Sequence, residues 1–232
     1  MTVINNDLSI FTNKNENGIK LSDRLNTVLT NSKYFDVLVG YFRITGFYLL
    51  KEQLENVEEI RILIGLGTDI ETIRAMDIFE LSGANATRKV QKVIIEEFNN
   101  TEDDNLEMEN GVFKFCEWIK SGKLKIRMCY EKNVHAKLYI VRKDPDKVPD
   151  QFGNLITGSS NFTFNGLDKN VEFNVELKNQ SDVQYGLDFF EELWKDSKDI
   201  TEDILTTINN DTWMNKNITP YELFLKLLFV YF

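Results

Sequence analysis

His135-Ala136-Lys137-Leu138-Tyr139-Ile140-Val141, then Gly158-Ser159-Ser160-Asn161-Phe162-Thr163, then Glu172, are the residues on which the reading of this chain turns. His135 is the only histidine in 232 residues. It stands two positions before Lys137, at the head of the apolar run Leu138–Val141. Side chains alternate between the faces of a strand, so His135 and Lys137 project the same way. Ser159 and Asn161 repeat that spacing. A histidine, a lysine, a serine and an asparagine gathered at strand ends can hold a phosphate. The lysine supplies charge, and the serine and asparagine supply directional donors. An imidazole can attack phosphorus or move a proton near neutral pH.

Outward from this stretch, strands alternate with helices. Residues 35–42 and 59–66 carry apolar side chains on both faces, the pattern of strands buried within a sheet. A helix is predicted from Thr45 or Gly46 to about Asn56, a helical region from Asp69 to about Phe98 with a break at Ser82-Gly83, and a further helix over 106–120 closed by Ser121-Gly122. Strands are expected at 123–130, 136–142 and 154–157. From Val171 to Leu177 the chain alternates strictly, with Val171, Phe173, Val175 and Leu177 on one face and Glu172, Asn174 and Glu176 on the other, which reads as a half-buried strand with a polar face. Ser181-x-x-Gln184 reads as a capping box opening a helix to about Lys195. The fold class expected is α/β, a mixed β-sheet flanked by helices on both faces. Residues 1–20, polar and Asn-rich, read as a loose N-terminal arm; 21–210 as the domain; and 211–232 as a connector helix. Thr219-Pro220-Tyr221-Glu222 opens that helix and an apolar run ends it, a pattern expected to lead into a missing C-terminal region.

The net charge of −10 argues against a surface that coats nucleic acid generally, while leaving room for a local basic groove. Lys123, Lys125, Arg127, Lys132, Lys137, Arg142 and Lys143 gather in sequence around the motif, and the bland reading of that cluster is a solvated strand edge. Cys116 and Cys129 fit no metal-ligand spacing, so no structural zinc is expected, and a reduced cytoplasmic protein is the simple reading. No run of about eighteen apolar residues marks a membrane span. A phosphate loop of the G-x-x-x-x-G-K-[ST] type is missing too. Tyr41 and Arg43, after the first long strand, could line the same cleft, although a core tyrosine and a surface arginine are the simpler reading.

The His135-x-Lys137 and Gly158-Ser159-x-Asn161 pair resembles the phospholipase D superfamily, whose signature is H-x-K-x4-D followed by G-S-x-N. Glu172, eleven residues after Asn161, falls where small nucleases of that family carry a glutamate that supports the histidine; Glu176 on the same face competes with it. One position departs: the family's Asp is Arg142 here, and the nearest acid is Asp144. Phe35–Phe42 and Ile60–Gly65 look like the early strands of the branch fused to DNA helicases or found in restriction enzymes.

The resemblance implies a metal-independent phosphodiesterase, an endonuclease cutting DNA (or RNA) through a phosphohistidine intermediate, with no cofactor. It implies His135 as nucleophile and acid, Lys137, Asn161 and Ser159 as stabilisers of phosphoryl charge, and Glu172 as the partner that fixes the His135 tautomer. Ser160, Thr163, Lys132 and Arg142 are the candidates for further substrate contacts. Two imidazoles per site and one histidine per chain imply a homodimer. The resemblance to the helicase-fused branch implies a helicase region in the full-length chain. The alternative reading is a catalytically weakened module of the same fold that binds nucleic acid or dimerises. A lipid-acting enzyme ranks third, since lipid members usually carry two motifs in one longer chain.

Overall fold

The computed structural model describes residues 8–13, 18–65, 83–99, 106–130 and 134–211. Its centre is built from sequences that are apolar on both faces because both faces are covered. Among the described residues the sheet has eight strands. These are β1 (Ile10–Thr12), β2 (Ser32–Val39), β3 (Glu59–Gly65), β4 (Leu124–Cys129), β5 (Leu138–Lys143), β6 (Gly153–Gly158), β7 (Phe173–Leu177) and β8 (Lys198–Asp199). Their spatial order is β1-β7-β6-β5-β2-β3-β4-β8. β2, β3 and β4 run parallel to one another, and the remaining pairings are antiparallel. The parallel pairs need crossovers, and helices supply them. α2 (Ile44–Tyr48) and α3 (Lys51–Leu54) lie between β2 and β3, and α4 (Gly83–Asn99) and α5 (Leu106–Lys120) between β3 and β4.

The period of two sorts the strand side chains into two cores. Val37, Val39, Tyr139, Val141 and Ile156 face a large core that takes in Leu25 of α1 (Leu21–Val28), Phe47, Phe115 and Ile204 of α7 (Thr201–Asp211). Leu38, Leu63, Ile140 and Leu155 face a smaller core closed by Val183, Phe190 and Leu193 of α6 (Gln180–Lys195). The expected mixed sheet with helices on both faces is therefore the observed fold.

Local differences have identifiable causes. Ile10–Thr12, read as part of a loose arm, is an edge strand: it pairs with β7, and Phe11 is buried over the neutralised polar face described next. The polar face of β7 points inward. Asn174 and Glu176 are fully buried, whereas Phe173 is 57% exposed. Hydrogen bonds offset much of the cost of burial: Arg24 Nε of α1 donates to Glu176 Oε2 at 2.6 Å, Asn154 Nδ2 donates to Glu176 Oε1 at 2.6 Å, and Asn174 Nδ2 donates to Ser160 Oγ at 3.0 Å.

The capping box at Ser181 does not form; the helix cap lies two residues earlier, at Asn179, whose amide reaches Asp182. α7 was not legible in the sequence. Thr201 anchors its start by a two-way clasp, accepting from the Ile126 N–H and donating to the Ile126 carbonyl. The expected helical stretch over 69–82 and the connector over 212–232 lie outside the described residues.

Candidate phosphodiester site

Strand register assembles the motif. Leu138 pairs with Leu38 of β2 and with Thr157 of β6, and Gly158 pairs with Asn174 of β7. The residues just before β5, just after β6, just before β7 and just after β2 therefore share one end of the sheet. That end is also the carboxyl end of the parallel strands β2, β3 and β4, the usual position for a ligand crevice in an open α/β sheet. His135, Lys137, Ser159, Asn161 and Glu172 all fall there, and so does the segment after Val39.

His135 is exposed, and its imidazole has no hydrogen-bond partner among the described residues. The backbone just before it lies against Gly65 at the end of β3: a Cβ there would collide with the Val134 carbonyl. Glycine is thus what lets the histidine segment close onto the sheet. Lys137 Nζ donates to the His135 carbonyl at 2.9 Å, which holds the ammonium beside the imidazole's own backbone. Asn161 Oδ1 accepts from the Tyr41 N–H at 3.1 Å, so the amide is fixed through its oxygen and its Nδ2 donors are left for a ligand.

Ser159 and Glu172 are tied together. The Ser159 hydroxyl donates to Glu172 Oε2 and accepts from the Phe173 N–H at 3.1 Å, and Asn170 Nδ2 donates to Glu172 Oε1 at 3.4 Å. The Glu172 carboxylate within this chain is thus held by Ser159 and Asn170 rather than by the imidazole it was expected to support. Beneath them Tyr139 is fully buried and donates its hydroxyl to the Ser160 carbonyl at 3.0 Å. Burial first, and the nearby Glu172 charge second, hold that phenol well above its ordinary pKa, so it stays a donor and pins the turn after β6.

Among the further substrate-contact candidates, Ser160 and Arg142 are engaged by other side chains. Ser160 is fully buried, its hydroxyl taken by Asn174, because the residue between Ser159 and Asn161 points into the core. Thr163 accepts from the Gly166 N–H at 3.0 Å and starts the π-helical turn Asn165–Lys169. Arg142 sits at the other end of β5 from Lys137, donating to Asp36 Oδ2 at 3.1 Å and lying over the Tyr34 ring. Asp36 is also bound by Arg61 Nε at 2.6 Å. The departure from the family's Asp is therefore absorbed by an acid on the neighbouring strand. Lys132 lies outside the described residues.

The wider basic cluster dissolves in the same way. Lys123 reaches the Glu55 carbonyl, Lys125 pairs with Glu59, Arg127 donates to the Trp194 carbonyl, and Lys143 binds the carbonyls of Val28 and Thr30. Of the described members, Lys137 is the one held at the site. Glu176, the competitor of Glu172, is removed from it by burial against Arg24. Tyr41 is not a core tyrosine, being 44% exposed. No sequence signal marked its N–H as the partner of Asn161, 120 residues away.

A mixed sheet presenting His-x-Lys and Gly-Ser-x-Asn at one end defines a phospholipase D-like domain. A family model described as the PLD-like domain of cardiolipin synthase matches residues 27–194, and the chain belongs to that family of phosphodiester-processing proteins. The chain is similar to solved structures, of which three follow. Nuc, a phospholipase D family member from Salmonella typhimurium, is 16% identical with a TM-score of 0.43, covering 82% of this chain and 95% of its own. NucT from Helicobacter pylori is 10% identical with a TM-score of 0.44, over 82% of this chain and 97% of its own. Phosphatidylserine synthase from Haemophilus influenzae is 14% identical with a TM-score of 0.49, over 95% of this chain and 44% of its own. No curated protein matches the sequence. Among the described residues no helix is long and apolar enough to cross a membrane.

Proposed function

We propose that the chain is a metal-independent nuclease that cuts DNA through a covalent phosphohistidine. The single observation that carries this is the convergence of His135, Lys137 and Asn161 on one sheet end, with the imidazole exposed and the Asn161 amide donors unoccupied. In this reading His135 of one chain attacks phosphorus and forms an N–P bond, while the O–P bond to the leaving nucleotide breaks. A second imidazole gives its proton to the leaving oxygen. That imidazole then takes a proton from water, whose oxygen attacks phosphorus and releases His135. Lys137 and Asn161 stabilise the charge gathered on the non-bridging oxygens, and the Ser159–Glu172 pair fixes the turn that carries Asn161.

The second imidazole comes from a second copy of the chain, since each chain has one. Support for a two-fold dimer is the exposed apolar edge beside Glu172, made by Val171 (72% exposed), Phe173 (57%) and Ile10 (53%). As a module, the domain would serve a helicase-linked restriction or phage-defence protein, with 211–232 as connector; the likeness of the stretches forming β2 and β3 to that branch is the support. A reducing, cytoplasmic setting suits the two free buried thiols, of which Cys116 is pushed up to about 11 by burial.

The test is incubation of the purified chain with single- and double-stranded DNA in excess chelator, beside a His135→Ala variant. Cleavage that survives chelator and disappears with His135→Ala is the expected result. Cleavage abolished by chelator and restored by magnesium would refute metal independence, and folded protein that leaves both DNAs intact would refute the nuclease.

A further inference from the structure

The segment that locks Asn161 carries two side chains with no structural task. After β2 ends at Val39 the chain stays extended, and Phe42 makes a parallel bridge to Phe162. Three contacts fasten the two segments: the Tyr41 N–H to Asn161 Oδ1, the Arg43 N–H to the Phe162 carbonyl at 2.9 Å, and the Phe42 ring stacked on Phe162 with centroids 5.7 Å apart. Phe42 is 6% exposed and also stacks on Phe115. With Phe42 turned inward, the period of two turns Tyr41 and Arg43 outward together, and both are exposed.

Arg43 differs from other described arginines, which are engaged. Arg61, Arg127 and Arg142 all hold a carboxylate or a carbonyl, as does the buried Arg24. The Arg43 guanidinium has no ion-pair or hydrogen-bond partner among the described residues. The Tyr41 ring makes none of the ring contacts that engage Phe42, Phe47 and Phe162 in the core. An exposed aromatic ring and an unengaged guanidinium, two residues apart on the segment fastened to the Asn161 amide, match the chemistry of a polynucleotide. Its bases stack on aromatic rings, and its next phosphate takes a bidentate cation. A diacylglycerol phosphodiester offers no planar face to the ring.

We propose that Tyr41 and Arg43 form a nucleotide subsite beside Asn161, with Tyr41 stacking on an unpaired base that flanks the scissile phosphate and Arg43 holding the adjoining phosphate. The inference rests on the nuclease reading and adds that the substrate is single-stranded, because only an unpaired base can leave its stack for the ring.

The experiment compares the intact chain with Tyr41→Ala, Tyr41→Phe and Arg43→Ala on a single-stranded oligonucleotide and on an abasic strand of equal length. Each variant keeps the backbone N–H that binds Asn161. Tyr41→Ala should raise KM on the base-bearing strand roughly tenfold with kcat unchanged, and should leave the abasic strand unaffected. Tyr41→Phe should restore the wild-type KM. Arg43→Ala should raise KM on both strands and flatten the salt dependence by about one phosphate contact. An equal effect of Tyr41→Ala on the two strands, a fall in kcat alone, or no effect would overturn the proposal. If the wild-type chain cuts neither strand, the nuclease reading falls, and fluorescence anisotropy of the same strands tests the subsite separately. A Tyr41-dependent preference for the base-bearing strand upholds it; equal binding of both strands overturns it.

Discussion

Replacing Glu176 with leucine should destabilise the protein severely while leaving its chemistry intact. The carboxylate is 1% exposed and receives Arg24 Nε at 2.6 Å and Asn154 Nδ2 at 2.6 Å. Its partner Arg24 is itself only 5% exposed. Glu176→Leu removes the negative charge and leaves a buried guanidinium and an amide without their acceptor. Breaking a buried ion pair from one side costs about 3–5 kcal/mol. In a chain of this size each kcal/mol lowers the melting temperature by about 2–4 °C, so the midpoint should fall by roughly 6–20 °C. A thermal melt followed by far-ultraviolet circular dichroism reads this directly, with urea denaturation as a second measure. Arg24→Met combined with Glu176→Leu should recover much of the loss, because an apolar pair of similar volume can replace a buried ion pair at little cost. A Glu176→Leu midpoint within about 2 °C of wild type, less than 1 kcal/mol by the same scale, would refute the reasoning, as would a double variant as unstable as the sum of the single ones.

His135→Ala should abolish turnover by several orders of magnitude and keep a cooperative melt, since the imidazole is exposed and without a protein partner; loss of the cooperative transition would make it a structural residue. Arg142→Met should lower stability by about 1.5–3 kcal/mol by stripping one charged hydrogen bond from Asp36, with turnover per folded molecule unchanged in a denaturation-corrected assay. Gly46→Ala should lower activity and stability together, by about 1–3 kcal/mol for the latter, because the new Cβ would sit 2.9 Å from the Phe162 carbonyl carbon, next to Asn161. Light scattering should give a dimer for the wild-type chain and a monomer for Phe173→Asp, since an exposed phenylalanine on the proposed interface gives way to an unpaired charge; a dimer of unchanged strength would remove that edge from the interface.

Much of the site was legible because its residues lie close together in sequence. His135 and Lys137 share a strand end, Ser159 and Asn161 share another, and the apolar runs of β2, β3 and β5 announce a buried sheet that aligns those ends. Spacing and period suffice for that much. They do not say which face of an alternating strand turns inward. β7 reads as apolar side in, yet it buries Asn174 and Glu176, because Ser160 and Arg24 meet them there, and Arg24 lies 152 residues from Glu176. Likewise spacing leaves the basic run around the motif open between a local groove and a solvated strand edge, and tertiary partners claim it: Glu59 takes Lys125, Asp36 takes Arg142, and backbone carbonyls take Lys123, Arg127 and Lys143. The sequence by itself determined the sheet, its two-sided burial and the spacing that marks His135, Lys137 and Asn161 as candidates. Only the tertiary structure decided which charges remain free to meet a ligand and that Tyr41 and Arg43 stand beside Asn161. Those outcomes depend on pairings between distant strands and helices, and neither local propensity nor spacing encodes them.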